Sequence, residues 1–156
     1  MALEKKSYYQ ARELDEKLSS ISSLVLLEFS TKLDVIAPTS DENVTIFYRS
    51  AVNVPTLVAG SDKYVVICHV SAGKQMEGAE SSISAYYGLT FESDSSSEDE
   101  LLNNAKLLAT YSVWGRFSVL FDLINSQMEL ELPTLPARPR SIDVMDASHS
   151  EQASER

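Results

Sequence analysis

The stretch from Ser97 to about Leu130 constrains this chain more than any other. Leu101, Leu102, Ala105, Leu108, Ala109, Ser112 and Val113 recur at helical spacing, followed by Phe117, Leu120, Phe121, Ile124 and Met128. No Pro interrupts the run, and Gly115 is its only Gly. Ser97-Glu98-Asp99-Glu100 has the form of a capping box, in which the Ser hydroxyl and the Glu carboxylate each take a free backbone N–H at the helix start. Three acids there also suit the positive end of the helix dipole. The pattern predicts one helix of about nine turns, roughly 45 Å long. Four strands at about 4.8 Å spacing make a sheet only roughly 15–20 Å across. Overhanging turns would then carry Val113, Phe117, Leu120, Phe121 and Ile124 as an apolar patch that soluble monomers rarely expose. A homo-oligomer, dimer or tetramer, is therefore expected, with paired helices as the simplest closed solution.

Upstream, Leu3 to Leu18 has a modest helical pattern and charges of alternating sign, predicting a short N-terminal helix. Ser23 to Val35 is rich in β-formers, with Phe29, Thr31, Leu33 and Val35 alternating with Glu28, Ser30, Lys32 and Asp34. A loop over residues 37–43 leads to a second strand, Val44 to Val52, and a connection with an extended edge piece around Leu57. Lys63 to Ser71 reads as an inner strand, apolar on both faces at its centre. Ala72 to Glu80, with Gly73 and Gly78, reads as a turn. Ser82 to Glu92 then alternates Ile83, Ala85, Tyr87, Leu89 and Phe91 with Ser82, Ser84, Tyr86, Gly88, Thr90 and Glu92. Short connections imply antiparallel neighbours. The expected fold is α+β: a four-stranded antiparallel sheet, a short N-terminal helix and one long C-terminal helix.

After the helix, Pro133, Pro136 and Pro139 recur every third residue and favour an extended path. Ser141 to Arg156 is polar and aperiodic. The expected division is one domain over 1–140 and a disordered tail over 141–156.

Several functions are disfavoured by composition. A net charge of −10 argues against nucleic acid as a partner. Cys68 is the single cysteine, which excludes an internal disulfide and fits a reducing compartment. Residues 1–10 lack an apolar signal-peptide core. Arg116 and Asp122 interrupt the best membrane-span candidate, so no membrane insertion and a cytoplasmic location are expected. Cys68 and His69 are adjacent on a strand and point to opposite faces, so they cannot share a metal or form a thiol–imidazole pair. Ser93 to Ser97 lacks the Gly and Lys of a phosphate loop, and the acids Glu92 to Glu100 lack the order of a calcium loop. No cofactor, metal or enzymatic chemistry is indicated.

Three segments carry a resemblance. Ile83-Ser84-Ala85-Tyr86-Tyr87-Gly88-Leu89-Thr90-Phe91-Glu92 resembles the last strand of SecB-type protein-export chaperones and their SecB-like relatives. The long helix with Ser112-Val113-Trp114-Gly115-Arg116-Phe117, and the exit Met128-Glu129-Leu130-Glu131-Leu132-Pro133-Thr134-Leu135-Pro136, are similar to the elements that follow in that family. Gly115 stands where the family has Pro, so a helix bend is expected there. Arg116, Ser118 and Val119 replace the family's Tyr and Arg-Glu pair, and no Cys/His-rich zinc tail is present for docking to the export motor.

The resemblance implies a holdase that binds unfolded client polypeptides through apolar grooves, in protein export or beside a toxin–antitoxin system. Export machinery or a toxin would be its further partners. The residues available for such a groove are Tyr86, Tyr87, Trp114, Phe117, Phe121, Leu132 and Leu135. A non-chaperone, oligomeric protein-binding module is the alternative.

Overall fold

The structure, a computed structural model, describes residue 14 and residues 16–34 and 41–145 of the chain. Most of the expected N-terminal helix lies outside those residues; residues 14 and 16–18 are helical. The described elements are β1 (Ile21–Leu33), β2 (Thr45–Val52), β3 (Thr56–Leu57), β4 (Lys63–Met76), β5 (Ala79–Glu92), the helix α1 (Glu98–Met128) and β6 (Asp143–Val144). The sheet order is β1-β5-β4-β2-β6, with β3 also pairing with β4.

The sheet is mixed and six-stranded, not four-stranded and antiparallel as expected. The four long strands do pair antiparallel, but β6 runs parallel to β2 through Ala51↔Asp143 and Val52↔Val144. Composition places residues 141–145 in the tail, yet Met145 N–H bonds the Val52 carbonyl at 2.8 Å and Ile142 packs on the core. Residues 146–156 lie outside the described residues.

The turn expected over Ala72 to Glu80 is instead mostly strand. The β4–β5 ladder continues to Met76↔Ala79, and only Glu77 and Gly78 turn, with Gly78 at φ +76°. Gly73 pairs with Ser82 inside the ladder, where an added Cβ would overlap the Ser81 carbonyl and Ser82. Its glycine serves a close backbone approach rather than a turn.

Strand alternation sets the layers. Tyr64, Val66, Cys68, Val70 and Ala72 of β4 share a buried face with Ile83, Ala85, Tyr87, Leu89 and Phe91 of β5. α1 supplies Leu101, Ala105, Leu108, Ala109, Val113, Trp114, Phe117 and Phe121 to the same core. By length and hydropathy α1 could cross a membrane; in this fold one side of it joins the core. Burial in apolar surroundings pushes the Cys68 thiol up to about 12, leaving it a neutral, inert hydrophobe.

The helix start and bend both differ from expectation. Ser97 makes no side-chain cap; its N–H bonds the Ser95 hydroxyl, and that hydroxyl donates to Glu100. The expected capping box does not form; Ser95 instead links the Ser97 N–H to the Glu100 carboxylate. The irregularity in α1 is a π-helical turn over Ala109–Val113, where Trp114 N–H reaches back five residues to the Ala109 carbonyl. Buried positions 109, 113, 117 and 121 step by four, more than one helical turn of 3.6, and the wider turn absorbs part of the drift. Gly115 follows it with nothing within 4 Å of an added Cβ.

Gly115→Ala should therefore stabilise the chain, by up to about 1 kcal/mol, because it removes backbone entropy at an open helical site. Gly73→Ala should cost about 1–3 kcal/mol through overpacking in the ladder. Urea unfolding midpoints measure both; a destabilised Gly115→Ala would mean the glycine is needed for the bend.

Candidate functional site

The C-terminal exit of α1 folds back as a strap over its aromatic side. Glu129 adopts a left-handed conformation, φ 51°, which ends the helix, and Glu131 a second, φ 56°. Asn125 then holds the strap like a strand partner: its Nδ2 donates to the Leu132 carbonyl at 2.9 Å and its Oδ1 accepts from Leu132 N–H at 3.1 Å. Farther along, Trp114 Nε1 donates to the Pro136 carbonyl at 2.9 Å, and Arg138 lies 4.7 Å over the Tyr111 ring. Leu130, Leu132 and Leu135 are thereby buried.

This geometry disposes of the seven groove residues in two ways. Tyr87, Trp114, Phe117, Phe121, Leu132 and Leu135 are all buried within the chain itself. Trp114, Phe117 and Phe121 form a tilted aromatic row, with centroids 5.8 and 6.1 Å apart. Burial also raises the Tyr87 hydroxyl's pKa, with Arg116 opposing. The patch expected from Val113, Phe117 and Phe121 is therefore covered by the chain's own strap and sheet, not left overhanging.

Tyr86 alone among the seven is half-buried, on the sheet face opposite α1. Its ring stacks on His69 at 4.5 Å, and His69 Nε2 is hydrogen-bonded to Ser84 Oγ at 2.7 Å. Burial, and then the charge of Arg49, lower the His69 pKa. Among the described residues no group of three or more His, Cys, Asp or Glu is placed to hold a metal ion.

The exposed apolar surface lies elsewhere. β1 is an edge strand of thirteen residues, and Val25, Leu26, Leu27, Phe29 and Leu33 are exposed along it. Arg116 ties α1 to this edge by donating from Nη1 to the Leu24 carbonyl at 2.7 Å. Val119 and Leu123 lie three and seven residues on from Arg116, on the same side of the helix, and are 72% and 56% exposed. Strand edge and helix ridge thus share one margin of the molecule. Asn125 and this margin are the features the residue pattern did not single out.

A single-layer sheet backed by one long helix and an extended Pro-containing strap defines a SecB-like α+β arrangement. The fold is similar to that of a SecB-like chaperone from Mycobacterium tuberculosis, solved in complex with a ChAD peptide from the HigA1 antitoxin. The TM-score is 0.55 at 14% identity, over 80% of this chain and 98% of that one. No protein-family model matches the chain, and no curated protein matches it in sequence.

Two outcomes follow from the site. Asn125→Ala should cost about 2 kcal/mol, from two lost hydrogen bonds, and move the Trp114 emission to the red as the strap loosens. An unchanged spectrum would show that Asn125 does not hold it. For His69, whose folded pKa lies below its unfolded value near 6.5, the unfolded chain takes up the proton first as pH falls. Stability should be full above about pH 6.5 and decline below it, down to the lowered folded pKa. His69→Phe should flatten that part of a urea-midpoint profile between pH 7.5 and 5.5.

Proposed function

We propose that this protein is a cytoplasmic, chaperone-like holdase that binds extended or unfolded segments of other polypeptides and works as a homo-oligomer. The supporting observation is the SecB-like fold, shared with a chaperone whose structure holds a peptide from an antitoxin. Fold alone does not fix function, so the support is by analogy. It suits a chain whose described residues offer an apolar margin along the edge strand β1. The proposed activity is binding without catalysis, with clients from export or from a toxin–antitoxin pair as the two settings to compare.

The oligomer is proposed to form through the β1 margin. A long apolar edge strand is prone to pair with another chain. Val25, Leu26, Leu27 and Phe29, with Val119 and Leu123, supply the apolar area that burial would remove from water. The alternative, a module for one dedicated partner, is favoured by the burial of Trp114, Phe117 and Phe121, which leaves no aromatic groove at that place in the single chain.

A direct test adds the protein at stoichiometric amounts to several unrelated denatured proteins and follows light scattering. A holdase suppresses aggregation of all of them; protection of none would end the chaperone proposal. Sedimentation at micromolar concentration should show an oligomer that Val25→Lys with Leu27→Lys reduces to monomer, with Trp114 emission unchanged. A folded wild-type monomer would sink the assembly proposal.

A further inference from the structure

At the edge of the sheet opposite β1, β2 is only partly covered. β6 pairs with Ala51 and Val52, while the outer side of Ile46 to Ser50 has no strand partner among the described residues. The direction of the backbone groups is set by their neighbours. The Val52 carbonyl points outward to Met145 N–H, and Asn53 N–H points inward to the Ile67 carbonyl. By the two-residue repeat, Ile46, Tyr48 and Ser50 direct their N–H and C=O groups outward as well. A cleft of about 500 Å³ runs beside this edge, with Thr134, Pro136, Arg140 and Ser141 of the strap on its other side and Asp143 at the end where β6 begins.

Two further features of the cleft bear on its occupant. Ser50 lines it, although its Oγ, the one buried side-chain N or O atom among the described residues with no hydrogen-bond partner, is itself closed off from the cleft. Arg49 and Arg140 also line it, and neither has an ion-pair partner among the described residues. Arg49 lies 4.7 Å over the Phe47 ring, which leaves the donors of its guanidinium edge available. Against a chain net charge of −10, a lining with two arginines and one aspartate makes the cleft locally cationic.

We propose that this cleft takes an extended polypeptide segment as an added strand on β2, selecting one that carries a carboxylate side chain for Arg49 and Arg140. Main-chain bonds to Ile46, Tyr48 and Ser50 supply sequence-tolerant binding. The guanidinium pair supplies the preference, because charge-assisted bonds to carboxylate are the stronger ones. This specificity rests on the proposed function above and narrows it from any unfolded segment to an acidic one.

The experiment uses the full chain and fluorescein-labelled ten-residue peptides of alternating Thr and Val with a central Glu, Gln or Lys, read by fluorescence anisotropy. The Glu peptide should bind at least about tenfold more tightly than the Gln peptide, and Arg140→Gln or Arg49→Gln should erase the difference. Tyr48→Pro removes one outward N–H at an edge, where Pro is tolerated. It should weaken all the peptides while circular dichroism stays unchanged. Equal binding of Glu and Gln peptides, or binding insensitive to the Arg variants, overturns the cleft's specificity and leaves the holdase proposal standing. Suppressed aggregation of denatured proteins with no peptide binding does the same. An Arg140→Gln change that alters the oligomer mass would assign the cleft to a second copy and overturn the proposal. Failure of both peptide binding and aggregation suppression removes both proposals together.

Discussion

The row of Trp114, Phe117 and Phe121 is the contact on which the rest of the molecule depends. One side of it closes the sheet core and the other is covered by Leu130, Leu132 and Leu135. Fully burying each aromatic ring contributes on the order of 1.5–3 kcal/mol, but the row also positions the chain that follows. The indole N–H cannot be buried without a partner at acceptable cost, and the Pro136 carbonyl supplies it. The strap is therefore placed by one hydrogen bond at its far end and by Asn125 at its near end. From there the chain reaches β2 and adds β6 to the sheet.

The two edges of the sheet are built differently as a result. At the β2 edge the returning strap and β6 cover part of the backbone and leave a polar, cationic cleft. At the β1 edge no described element returns, and the surface is a row of aliphatic and aromatic side chains. The face between them, away from α1, carries Tyr86, His69 and Ser84, whose contacts are with each other. Exposed apolar side chains are thus concentrated at one edge of the sheet and cationic ones at the other.

Much of the fold is legible in the residues because its strongest patterns are local. Alternation in Ser82 to Glu92 gives the correct inner face of β5, and the helical spacing from Leu101 to Met128 gives α1 within a residue or two. Leu57 falls in the short edge strand β3. What was not legible depends on long-range contacts. Gly73 looks like a turn residue until Ser82 is seen to approach it. Asp143 and Val144 look like tail until β2 offers an open edge. The seven groove residues follow apolar type and spacing, which mark burial as readily as binding, and six of them are buried. Arg140 carries no periodic pattern, and only the folded strap brings it beside Arg49 and Ser50 of β2.

The π-helical turn at Ala109–Val113 makes α1 two rotors in series rather than one rod. Leu101, Ala105 and Leu108 are phased to the sheet on one side of it, and Phe117 and Phe121 on the other. Loss of a single residue within this turn would let the helix revert to ordinary α winding, without breaking its hydrogen-bonded ladder. Gain or loss of a residue elsewhere in α1 would turn the second half by about 100°, taking the strap with it. The winding of this one turn thus sets the direction in which the strap leaves the sheet, independently of how the first half of α1 is seated.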